Sequence, residues 1–247
     1  MQVFSRFAPA LCLLFVSLPS MAVPIDLYDG AQSSLPSAQG WLYLTNPLFG
    51  ASANQQSVTG GTRLVSPVAE QAGWFSTLHP GVPVLPAGGA FDIDFTLRLV
   101  DESHANPNRA GFSVIVLNEA AVGIELGFWT DRIWAQDDSP LFTHGEESLF
   151  DTGSLVDYRL SFSGAGYTLY ADGSALLSGL QRDYSAHANP MYSSTNFLFF
   201  GDDTSSAGAE AEIRSIAVDS GAAPMPLPAV PWLLLPLLFG LPGRRRA

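Results

Sequence analysis

Phe91-Asp92-Ile93-Asp94-Phe95-Thr96-Leu97-Arg98-Leu99 carries the clearest structural signal in the chain. Odd positions are apolar and even ones polar or charged, the period of two that a half-buried strand shows because successive side chains leave opposite faces of a sheet. Outward from it, residues 110–117 (AGFSVIVL) are almost continuously apolar, as in a central strand covered on both faces. Residues 122–128 and 132–136 read as two more strands joined around Thr130-Asp131, and 157–162 alternates through Tyr158, Leu160 and Phe162. A Gly164-Ala165-Gly166 turn leads to a strand at 167–170, and Asp172-Gly173 carries the type I′ hairpin signal before 175–177. Strands at 196–200 and 212–218 close the pattern. Helical periodicity is nowhere sustained, although 207–215 has room for a turn or two of helix. Many short strands punctuated by Gly, Pro and Asp make the expected fold all-β and leave a sandwich or a barrel.

The run Tyr158-Arg-Leu-Ser-Phe, a Gly turn, Tyr167-Thr-Leu-Tyr, Asp172-Gly173 and Leu177-Ser-Gly179 resembles the hairpin signature of concanavalin A-like lectin/glucanase domains, which implies the sandwich: an all-β, two-sheet antiparallel jelly-roll. Gly123-Ile-Glu-Leu-Gly-Phe-Trp129, Ile133-Trp-Ala-Gln136 and Asn196-Phe-Leu-Phe-Phe-Gly-Asp-Asp-Thr204 are similar to the bacterial choice-of-anchor Y group. That resemblance spans about Phe91 to Asp219 and implies a jelly-roll body joined to an exchangeable sorting tail, with no assigned activity. Nothing before Phe91 carries a motif.

The 247 residues suffice for one domain with a sizeable core. Between Val23 and Asp219 seven arginines face all 23 acids, a net charge of −16, while Arg6, Arg244, Arg245 and Arg246 lie outside. So acidic a body repels phosphate backbones and anionic headgroups, which argues against nucleic-acid and peripheral membrane binding. The only cysteine, Cys12, falls in an apolar leader, so a processed chain has no disulfide, thiolate nucleophile or Cys metal site. Residues 1–22 read as a secretory signal helix: Arg6, an apolar core from Phe7 to Leu18, and a Ser20-Met21-Ala22 cleavage site. The 23–219 body is followed by a Pro/Ala linker with a motif at 220–229, then by a short transmembrane segment and basic tail at 230–247. From Leu227 to Gly243 the apolar stretch would span roughly 25 Å as a helix, barely a hydrocarbon core, and Pro231 and Pro236 interrupt it. This favours a transient anchor with its arginines on the cytoplasmic side over a permanent one.

Met225-Pro226-Leu227-Pro228-Ala229, the apolar segment and Arg244-Arg245-Arg246 together resemble the PEP-CTERM sorting signal in its Val-Pro-Leu-Pro-Ala variant, with Met in place of Val. The resemblance implies a Gram-negative exported protein, a transient stay in the inner membrane, processing by an exosortase-type protease, and delivery to the cell surface or to an extracellular polysaccharide matrix.

If 122–129 is a strand, Glu125, Gly127 and Trp129 leave one face, and Arg132, Trp134 and Gln136 of the next strand join them. Indoles beside a carboxylate, a guanidinium and an amide are the residue types that hold sugars, by ring stacking and hydroxyl pairing. Glu125, Trp129, Arg132, Trp134 and Gln136 are therefore expected to line an open concave face as a carbohydrate site; the plainer reading makes the indoles packing and pairs Glu125 with Arg132. Asp92 and Asp94 sit about 6.8 Å apart along their strand, within reach of a glycosidase pair. Their face continues as Thr96 and Arg98 with no third acid and no Trp, which points to a solvated strand face instead. Asp137, Asp138, Asp202 and Asp203 at strand ends are weak calcium candidates or turn-capping carboxylates. His79, His104, His144 and His187 are scattered without ligand spacing, and no Gly-x-Ser-x-Gly elbow occurs. The expected role is thus a non-catalytic glycan- or matrix-binding module with no required cofactor. The alternatives are a glycan-active hydrolase or lyase, or a purely structural surface protein.

Overall fold

The computed structural model describes residues 23–221. The expected signal segment, the motif residues Pro226, Leu227, Pro228 and Ala229, the membrane segment, and Arg244, Arg245 and Arg246 lie outside the described residues. Among the described residues no helix is long and apolar enough to cross a membrane.

Among the described residues, alternation becomes fifteen strands. The first seven are β1 (Ile25–Asp29), β2 (Leu42–Asn46), β3 (Asn54–Val58), β4 (Gly61–Ser66), β5 (Gln71–Phe75), β6 (Ala90–His104) and β7 (Ser113–Leu117). The rest are β8 (Gly123–Phe128), β9 (Arg132–Asp138), β10 (Leu141–Leu149), β11 (Val156–Ser163), β12 (Gly166–Ala171), β13 (Ser174–Leu180), β14 (Phe197–Asp202) and β15 (Ala207–Asp219). Short 3₁₀ turns, among them Pro190–Ser193, supply the only helical structure in this region.

The strands form two antiparallel sheets. One has the order β13-β12-β11-β6-β15-β4-β3, with β1 added beside the end of β15; the other runs β10-β9-β8-β7-β14-β5-β2. The chain passes between the sheets at β1–β2, β2–β3, β4–β5, β5–β6, β6–β7, β10–β11, β13–β14 and β14–β15. Those crossings make a sandwich whose inner faces share one core.

Phe91, Ile93, Phe95, Leu97 and Leu99 point into that core, and none is more than 2% exposed. Phe91 stacks on Phe162 at 4.4 Å and Phe95 on Tyr158 at 5.2 Å, along the β6–β11 register. From the opposite sheet, Phe200 and Phe128 meet Phe95 edge-on at 5.5 and 6.4 Å, the geometry that suits opposed ring quadrupoles. β7 is buried at all five positions, as its continuous apolar run requires. Asp172 and Gly173 both take positive φ, 48° and 77°, as a type I′ turn demands.

One expectation is corrected here. Residues 207–215 are not helical: they are the first part of β15, whose backbone groups are bonded by β6 on one side and β4 on the other. Two-sided pairing outweighs the modest helix preference of Ala and Glu there. The motif-free residues before Phe91 supply five strands to both sheets.

All seven body arginines are salt-bridged to carboxylates. The buried Glu212 holds Arg63 at 2.6 Å, Arg98 at 2.8 Å and Arg214 at 3.4 Å. Burial pushes its carboxyl up, but hydrogen bonds from Arg63 and Arg98 outweigh that and hold it below the ordinary value.

Candidate functional site

The second sheet is apolar on both faces. In β14, Leu198 and Phe200 enter the sandwich core, while Phe197 and Phe199 join Ile115, Leu117, Tyr184, Met191 and Tyr192 in a second cluster outside it. That outer face is where alternation places Glu125, Trp129, Trp134 and Gln136, since Ile124, Leu126, Phe128, Ile133 and Ala135 all lie in the core.

The open indole platform expected there is not what forms. Trp134 is 0% and Trp129 9% exposed, and Glu125 and Gln136 are fully buried. Each indole face is occupied by an imidazole: His104 stacks on Trp129 at 3.8 Å and His144 on Trp134 at 4.2 Å. Trp129 donates its ring N–H to the Arg109 carbonyl at 3.1 Å, and Gln136 donates to the Asn108 carbonyl at 2.9 Å, so the 105–112 loop is tied down over them. Arg132 pairs with Asp131 and Glu147 rather than with Glu125. The physical reason is that β10 and the loops 105–112 and 182–194 cover this face, which strand alternation cannot reveal. Gly127 faces Trp134 across the β8–β9 register, and a Cβ there would lie 2.5 Å from the indole. Gly127→Ala is therefore expected to destabilise the domain by about 1–3 kcal/mol through overpacking, read as a lowered urea midpoint. A change below about 0.5 kcal/mol would show that the indole is free to shift.

What remains open on this face is a trough of two adjoining clefts beside the 182–194 segment. One, of about 320 Å³, is lined by Asn106, Arg109, Tyr192, Asp203 and the hydroxyl residues Thr204, Ser205 and Ser206. The other, of about 260 Å³, has Leu44, Leu48, Phe75, Phe199 and Met191 among its walls, with Asn46 at its rim. Gln71, Asn189 and Asp203 belong to both. The ends of β2, β5 and β14, the turn Pro190–Ser193 and the loop before β7 all contribute. The turn is fixed by Asn189, whose side chain accepts from Met191 N–H. Gln71 is fixed by donating to the Asp203 carbonyl at 2.7 Å and accepting from Asn46 at 2.7 Å.

A charged network lies beneath the trough. Arg109, 11% exposed, pairs with Asp203 at 2.5 Å and lies 3.4 Å from Glu125, with its guanidinium 4.4 Å above the Phe142 ring. Burial works against its charge, but Asp203 and Glu125 overcome that, and Arg109 stays protonated. Tyr192 places its hydroxyl 2.7 Å from Glu125 and 2.8 Å from Asp203. Burial, reinforced by Asp203, pushes the Glu125 carboxyl up to about 8 against the pull of Arg109 and Tyr192. Burial likewise pushes Asp202 up to about 9, although Ser66 and the Thr204 N–H both bond it. Two carboxyls displaced this far beside clefts mark a candidate functional site. Glu125 was visible in the sequence as a strand acid and Asp203 as a strand-end acid. Arg109, Tyr192, Gln71 and Asn189 were not, because they reach the site from loops and strands distant in sequence.

The other candidates resolve differently. Asp92 and Asp94 lie with Asp157, Ser161 and Tyr170 in a polar hollow of about 640 Å³ on the outer face of the first sheet. Arg159 bonds Asp94 at 2.7 and 3.2 Å and approaches Asp92 at 3.9 Å. Asp137 pairs with Arg182 and Asp138 accepts from Asp183 N–H. Asp202 and Asp203 are bonded by Ser66, Thr204, Arg109 and Tyr192, and among the described residues no three His, Cys, Asp or Glu side chains gather to hold a metal ion. The histidines pack on rings: besides His104 and His144, His79 meets Trp41 at 5.6 Å and His187 meets Phe142 at 5.0 Å.

No family model and no curated protein matches this chain. Among solved structures, the chain is similar to a carbohydrate esterase from the Shiga toxin-encoding bacteriophage phi24B, at 15% identity and a TM-score of 0.55, over 80% of this chain and 98% of that one. The VIP36 exoplasmic/lumenal domain in its Ca2+/Man2-bound form matches at 8% identity and a TM-score of 0.48, over 79% of this chain and 87% of that one. At such identities the esterase likeness supports the sandwich fold alone.

Proposed function

We propose that this protein is an exported, non-catalytic glycan-binding module of a bacterial envelope or extracellular matrix, with the trough beside the 182–194 segment as its binding face. One observation carries the reading: four amide side chains, Asn46, Gln71, Asn106 and Asn189, line a concavity with an apolar wall. Amides offer a donor and an acceptor side by side, matching neighbouring sugar hydroxyls, while apolar side chains receive the C–H face of the ring. The solved structure of a carbohydrate esterase named above supports sugar recognition as an analogy of fold alone. A catalytic reading needs two carboxyls flanking a bond, but Glu125 lies behind Tyr192 and is fully buried. The tail resemblance adds an exosortase-type protease as processing partner, a transient stay in the inner membrane, and extracellular polysaccharide as the natural surroundings. An intact-mass measurement on native protein tests that processing directly.

Binding should be measured on an immobilised panel of neutral oligosaccharides. Joint Asn46→Ala and Gln71→Ala replacement is expected to weaken the strongest interaction at least tenfold, with Asp92→Asn leaving it within twofold. The reverse pattern would move the site to the 640 Å³ hollow of the first sheet, the second reading, which Asp92, Asp94 and Arg159 support. Turnover of a panel sugar, abolished by Asp92→Asn, would favour a glycan-active enzyme. No binding and no turnover would favour a structural surface protein.

A further inference from the structure

The contacts of Tyr192 contain a proton count. Its hydroxyl oxygen makes two short oxygen–oxygen contacts, to Glu125 Oε2 and to Asp203 Oδ2, yet a hydroxyl brings a single hydrogen. Two such contacts in sequence need two hydrogens, so one carboxyl supplies the second. Arg109 lies nearer to Asp203 than to Glu125, which makes Asp203 the carboxylate and Glu125 the acid. The chain then reads Glu125 O–H to Tyr192 O, and Tyr192 O–H to Asp203.

We propose that Glu125 is the positioning residue of the trough: while it keeps its hydrogen it holds Tyr192 and the turn Pro190–Ser193 as one wall, and when alkaline solution removes that hydrogen the wall loosens and bound sugar is released. The sugar-release half rests on the glycan-binding reading; the loosening half does not. The groups facing Glu125 are Arg109 from the loop before β7, Tyr192 from the turn, Asp203 after β14, and Tyr184, whose hydroxyl accepts the Glu125 N–H at 3.2 Å and donates to the Gln136 carbonyl at 2.7 Å. Arg109 is the one cation among them. With Glu125 neutral it is matched by Asp203 alone; with Glu125 ionised two buried carboxylates share it, and the Tyr192 hydrogen can serve only one. Burial pushes Glu125 up to about 8, which places the change just above neutrality. Tyr192 also carries the outer aromatic cluster, meeting Phe142 at 5.2 Å, His187 at 5.2 Å and Tyr184 at 5.7 Å, so a shift of its ring is passed along the 182–194 segment.

The linkage has a definite sign. A carboxyl raised in the folded state lets the unfolded chain ionise first, so its contribution to stability is complete below the unfolded value near 4.5 and is lost as pH rises toward about 8. Glu125→Gln keeps a donor toward Tyr192 at every pH and removes the titration.

The test compares wild type with Glu125→Gln by amide hydrogen exchange over 184–194, corrected for intrinsic rates, between pH 6.5 and 9.5. Protection in wild type is expected to fall at least tenfold while the variant changes less than twofold. Parallel behaviour, or a flat wild type, overturns the proposal. Should the variant not fold, the Glu125 carboxyl ¹³C shift of wild type gives the answer: a midpoint between about 7 and 9 supports it, and one below about 5.5 overturns it. In parallel, binding to the oligosaccharide panel is measured at both pH values. Loss of wild-type binding at pH 9.5, with retention by Glu125→Gln, supports the release half. No panel binding alongside the exchange transition defeats the glycan reading while leaving the titrating wall intact.

Discussion

Arg109→Ala is expected to lower the stability of the domain by about 3–5 kcal/mol, because it leaves Asp203 buried without its cation. The Asp203 side chain is 2% exposed and the Arg109 side chain 11%, so water cannot take over the lost partner. A domain of this kind has about 5–15 kcal/mol in total, so urea denaturation should show a large fall in midpoint. The charge explanation makes a second demand. Arg109→Ala with Asp203→Asn should recover part of the loss, since the stranded carboxylate is gone and the amide can still accept from Tyr192. A single-variant loss below about 1 kcal/mol, or a double variant no better than the single one, would mean that the network is solvated in solution.

Phe95→Ala should cost a similar amount, about 3–5 kcal/mol, for an unrelated reason. Phe95 is 1% exposed and contacts Tyr158 from its own sheet and Phe128 and Phe200 from the other. Its removal opens a cavity between the sheets that three aromatic rings on rigid strands cannot close. Phe95→Leu, which keeps much of the volume, should lose clearly less. Equal losses for the two substitutions would indicate that ring contacts rather than cavity volume dominate.

Much of the architecture was legible because a period of two is a local property. Phe91 to Leu99, residues 110–117 and the Asp172-Gly173 hairpin each announce a strand, a buried strand or a turn through neighbours only a few positions away. The partition of β8 and β9 was equally readable: Ile124, Leu126 and Phe128 go one way, Glu125 and Gly127 the other. The strands before Phe91 were harder, since β3, Asn54-Gln-Gln-Ser-Val58, has little apolar content, and β5 is interrupted by Gly73, over which the Phe199 ring lies. These segments become strands because existing sheet edges bond them, a property of partners rather than of their own residues.

Alternation and composition specify an acidic all-β body and which side chains share each face of its strands, because neither needs knowledge of distant residues. Whether a face meets water depends instead on which distant segments pack over it. Trp129 and Trp134 are on the expected side of the sheet, but His104, His144 and the 105–112 loop lie over them. The concavity forms instead where Asn46, Gln71, Arg109, Asn189 and Asp203 converge from segments up to roughly 150 residues apart. Burial of that convergence is what keeps a proton on Glu125, and no local pattern encodes how deeply a residue is buried by chain that arrives from elsewhere.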